Sequence, residues 1–91
     1  MQRNQKSVAE YDAQIAKGNE AAALLSNPLL TSTLDKLEAE ATQKMIDSLV
    51  LSERELAWHR VQAMRALKAE LQTLTNTGRL AKQKKDQLKG E

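Results

Sequence analysis

One proline and three glycines (Pro28, Gly18, Gly78 and Gly90) are the only strong helix breakers in this 91-residue chain. The remainder is rich in Ala, Leu, Glu, Gln and Lys, which lose little side-chain freedom on entering a helix. No window alternates β-branched and aromatic residues at a period of two, so no strand is expected. The reading is an all-α chain of a few long helices.

Hydrophobic spacing divides the chain. From Gln5 to Leu25, the residues Val8, Tyr11, Ile15, Gly18, Ala22 and Leu25 recur in the alternating three-and-four rhythm of a heptad seam. Gly18 costs about 1 kcal/mol relative to Ala inside a helix, so this segment needs a partner to stay ordered. Asn27-Pro28 combines a favoured cap with the residue favoured at the first helical position. A second helix therefore begins at Pro28, with the stripe Leu30, Leu34, Leu37, Ala41 and Met45 and then Ser48 or Leu49, and ends near Val50. Ser52 and Glu55 fit a capping box that opens a third helix. Its stripe is Ala57, Val61, Met64, Leu67, Leu71 and Leu74, resuming past Gly78 at Ala81 and Leu88. The link between the second and third helices is so short that they should lie side by side and antiparallel. Asp35, Glu38, Glu40 and Asp47 on one helix and Arg60, Arg65 and Lys68 on the other favour that pairing.

The expected architecture is an antiparallel helical hairpin, residues 28–50 against 53–88, with an additional N-terminal helix. That helix either folds back into a three-helix bundle or extends as a coiled-coil-like arm to another subunit. The chain divides into an N-terminal helix or arm (1–26), the hairpin (27–78) and a basic helix end (79–91). Tyr11 and Trp58 are the only aromatic residues. Large side chains dominate cores, so a lone globule of this composition is underfilled, and a homo-oligomer or docking on a larger partner is expected.

Catalytic chemistry finds little support. There is no cysteine, and His59 is the single histidine. Zinc needs several such ligands, so no metal site or cofactor is expected. Glu55 and His59 are four apart, whereas carboxylate metal sites in bundles use Glu-x-x-His. No nucleophile–base pair and no phosphate-binding Gly-rich loop can be assembled, so the chain is read as non-enzymatic. The stretch MQRNQKSVAEYD lacks the apolar core of a secretory signal, and no run approaches the roughly 18 apolar residues of a membrane span. A cytosolic location follows as the expectation.

Binding is better supported. Trp58 shares a helix face with Arg54, Val61 and Arg65. The plainer reading is that Trp58 anchors the first helix or the corner between helices; the functional one is an interface anchor, since Trp and Arg are enriched at hot spots. The seam residues Leu34, Leu37, Met64, Leu67, Leu71 and Leu74 are expected to carry helix–helix contact. Residues 79–91 hold five of the fourteen basic residues, Arg79, Lys82, Lys84, Lys85 and Lys89. They are either a solvated helix end or a contact for a polyanion, and the absence of aromatics there argues against base stacking.

The stretch Ala21 to Leu88 resembles a family of small helical proteins of tailed bacteriophages and prophages, encoded among head-assembly genes near portal and capsid. The likeness lies in AALLSNPLLTSTLDKLEAEA, then SERELAWHRVQAMRALKAELQTL with its Arg54-Glu55-x-x-Trp58, then TGRLAKQKKDQL with its Thr77-Gly78-x-Leu80-Ala81. Val50-Leu51 stands where those relatives often carry a polar, proline-containing loop. The resemblance implies a virion-related protein of the host cytoplasm or the virion, and an origin more than a mechanism. It makes a structural or head-assembly accessory factor the leading expectation. A phage-encoded regulator that binds a host protein, or a weak backbone-type nucleic-acid binder, are the alternatives.

Overall fold

A computed structural model describes residues 7–89, and nearly all of them are helical, with no strand among the described residues. Helix α1 spans Val8–Leu25, α2 Pro28–Asp47 and α3 Leu51–Lys89. At 1.5 Å per residue, α1 and α2 together are about as long as α3, close to 57 Å. The fold follows from that match. α2 lies along the first half of α3 and α1 along the second, and α1 and α2 touch each other little. The molecule is 63 × 32 × 14 Å, and its thinnest dimension is that of a single pair of packed helices. The N-terminal helix thus neither folds back over the α2–α3 pair as a bundle nor leaves as a free arm; it docks on the far half of α3.

Local chemistry sets the boundaries. Ser7 caps α1, its Oγ accepting from the Glu10 N–H at 3.2 Å. Asn27 caps α2, its Oδ1 accepting from the Leu29 and Leu30 N–H groups at 2.9 and 3.1 Å, with Pro28 at the first position. The next corner differs from the sequence expectation. α2 stops at Asp47 and α3 starts at Leu51, so Ser52 is already inside the helix and does not cap it. Ser48, the C-cap of α2, braces the turn instead: its Oγ accepts from the Val50 N–H at 3.1 Å and donates to Glu53 Oε2 at 2.7 Å. The reason is geometric, because a three-residue turn at 48–50 leaves no extended residue as late as position 52. Replacing Ser48 with Ala removes these hydrogen bonds and should cost about 1 kcal/mol, while Ser52→Ala should be near neutral. Urea midpoints of the two variants show which serine holds the corner.

The buried stripes run one position away from several of the expected ones. In α1, Tyr11, Gly18 and Ala21 are buried, and Ala22 is only half-buried. In α2, Leu34 and Ala41 are buried, Glu38 is half-buried, and Leu37 remains 46% exposed. In α3, Ala57, Val61, Leu71, Gly78 and Ala81 are buried, whereas Leu67 is 46% exposed and Lys68 is half-buried beside it. Glu38 and Lys68 are tolerated at the contact because their aliphatic stems cover apolar surface while their charged ends pair across it.

Small residues, not large ones, make the α1–α3 contact. Gly18 lies against Gly78 so closely that a Cβ on Gly18 would sit 2.8 Å from the Gly78 Cα and 2.9 Å from the Leu74 carbonyl oxygen. Ala21 and Ala81 are almost completely buried nearby. Such close backbone approach gains dispersion contacts that larger side chains would block.

Candidate interaction surfaces

Ionic contacts bridge α2 and α3. Lys68 Nζ donates to Asp35 Oδ1 at 2.8 Å and stands 3.6 Å from Glu38 Oε1, and Arg65 Nε is 3.6 Å from Glu38 Oε2. Arg54 Nε donates to the Met45 carbonyl at 3.2 Å, closing the corner. These partners run in opposite order along the two helices. Glu38 Oε1 is buried with no hydrogen-bond partner, so Lys68 is its main compensation.

The hydrogen bond from Lys68 to Asp35, aided by the two nearby carboxylates, raises the Lys68 pKa above the ordinary 10.5. A raised lysine binds its proton more tightly in the folded chain. Its stabilisation is therefore fully present below pH 10.5 and is lost as pH climbs through the folded value. Urea midpoints should fall above that pH more steeply in the native chain than in Lys68→Met. Parallel curves would show that the pairing contributes nothing.

The expected Trp58 cluster is only partly assembled. Trp58 is 48% exposed and meets His59 edge-on, with ring centroids 5.0 Å apart. It cannot anchor the first helix, because α1 contacts α3 around Gly78, about 30 Å further along the axis. The two arginines are committed, Arg54 to the end of α2 and Arg65 to Glu38, so they brace the corner beside Trp58.

The basic end of the chain is likewise not a free tail. It is the last part of α3, with Ala81 buried beneath α1 and Lys85 Nζ 2.6 Å from Asp12 Oδ1. Arg79 donates to Asn76 Oδ1 at 3.2 Å, and Lys82 and Lys84 are exposed. The Lys89 side chain lies outside the described residues. Arg79 and Lys82 share one exposed side of this packed helix and Lys84 lies on the other, so a polyanion would not meet all three on one face.

Two further apolar surfaces stand open. The first is the α2–α3 turn, where Leu49 is fully exposed between Ile46 at 67% and Leu51 at 68%. The hydrogen bonds of Ser48, Glu53 and Arg54 fix the turn behind it. The second is a shallow apolar groove between α2 and α3, lined by Leu37, Ala41, Ala63 and Met64 and rimmed by Glu40, Lys44 and Arg60. Among the described residues no group of three or more His, Cys, Asp or Glu is placed to hold a metal ion, and no helix is long and apolar enough to cross a membrane. Comparison of the chain with protein-family models, with curated proteins and with solved structures gives no match.

Proposed function

We propose that this chain is a non-enzymatic protein-binding factor, an accessory in the assembly of a tailed-phage head. The proposal takes its biological setting from the sequence resemblance. The observation that carries its binding character is the apolar turn, Ile46-Asp47-Ser48-Leu49-Val50-Leu51, in which four large apolar side chains are at least half exposed. Monomeric proteins seldom leave contiguous apolar surface of this kind in water without a use for it. A turn held by its own side-chain hydrogen bonds loses little freedom on docking, which lowers the entropic cost of association. Its occupant would be an apolar pocket on a larger partner, with Leu49 as the inserted side chain.

The test mixes the purified chain with tailed-phage portal and capsid proteins and follows complex formation by light scattering. Binding to one of them, weakened at least about tenfold by Leu49→Asp with the helical content unchanged, supports the reading. Absence of binding to both overturns the head-assembly role.

A further inference from the structure

We infer that two copies of this chain pair through the open face of α3, antiparallel, with their two-fold axis at the level of position 65. The inference rests on reading the chain as an interaction protein and names one of its partners as itself.

Surface area supplies the first argument. A compact monomer of 10.1 kDa exposes about 5,300 Å², whereas this chain exposes 6985 Å². Among the described residues no large side chain is completely buried within the single chain.

The face that would be covered is specific. Leu56, Arg60, Ala63, Leu67 and Glu70 recur at spacings of four and three along one side of α3, adjoining the Leu37–Met64 groove. Leu56 is 52% exposed and Leu67 46%, and Arg60, Ala63 and Glu70 are exposed. α1 lies along the part of α3 beyond Leu71, which leaves the 60–70 window open.

The pattern along that side is self-complementary when read backwards. Ala63 and Leu67 are equidistant from position 65, as are Arg60 and Glu70. A two-fold axis there sets Ala63 of each copy against Leu67 of the other, a small side chain opposite a large one. It sets Arg60 of each copy against Glu70 of the other. Within one chain those two charges are about 15 Å apart along the helix, and neither enters an ion pair among the described residues. An isologous contact forms each pair twice, so a single charge reversal converts two attractions into two repulsions.

Light scattering on the full chain gives the test. The native chain should show a mass of about 20 kDa, twice that of the monomer. Arg60→Glu and Glu70→Arg should each weaken association at least about tenfold, and the double variant should restore it. As an independent measure, single-cysteine chains Ala63→Cys and Leu67→Cys, when mixed, should cross-link with each other in preference to themselves. A native chain that stays monomeric near 1 mM, or a double variant no better than the singles, overturns the inference. Neither result touches binding of the turn to portal or capsid proteins, which the Leu49→Asp experiment reads separately.

Discussion

Gly18→Ala should destabilise the protein by about 2 kcal/mol, although the same change in an isolated helix stabilises it by about 1. The sign reverses because of what the new methyl group meets. At Gly18 it falls 2.8 Å from the Gly78 Cα and 2.9 Å from the Leu74 carbonyl oxygen, and both are backbone atoms of another helix. No flexible side chain can move aside, so the helices must separate, and Ala21 and Ala81 lose their contacts as they do. Gly78→Ala should behave alike, since its methyl group falls 2.9 Å from the Gln14 carbonyl oxygen and from the Gly18 Cα. The double variant should lose less than the sum, because helices already parted by one methyl group admit the second. Gly18→Leu should release α1 altogether. A free helix of 18 residues containing glycine is marginal in water, so helical content would fall with it. Urea denaturation and circular dichroism read both effects. A stabilising Gly18→Ala would show that the two helices do not touch there.

Leu71→Ala should cost about 2–5 kcal/mol, a large part of the 5–15 that holds a small domain folded. Leu71 is 9% exposed and sits where the end of α1, the start of α2 and the middle of α3 converge. All three elements lose contacts around the cavity its removal leaves. Leu67→Ala, four residues earlier and 46% exposed, should cost less than about 1 kcal/mol when measured on the dilute monomer. Equal losses at the two positions would show that the buried stripe has been placed wrongly.

These two leucines also mark how far the sequence was legible. Helix content and the Asn27-Pro28 boundary could be read because caps and breakers act within a few residues. Leu34, Val61 and Leu71 were recognisable as core because apolar side chains at heptad spacing share one face. The finer phase of each stripe was not recoverable. Leu37 and Leu67 look like seam residues beside Glu38 and Lys68, yet the charged residues lie nearer the contact because each supplies the other's counter-charge. That choice depends on two helices together, and neither helix states it alone. Gly18 and Gly78 have the same origin. Each reads as a weak point in its own helix, and only their juxtaposition makes them the place of closest approach. Ser48 reads as completing the second helix's stripe, whereas it braces the turn, because the turn's place depends on where α2 stops.

The placement of α1 on the far half of α3 is the claim from which the open face follows. Its most direct test is an electron-spin distance between labels at Ala9→Cys and Ile46→Cys in a chain otherwise free of cysteine, diluted with unlabelled chain. Both sites are exposed. Helices α1 and α2 lying end to end along α3 place the labels about 50 Å apart. A distance under about 20 Å would mean that α1 folds back beside α2, closing the face on which the dimer is built.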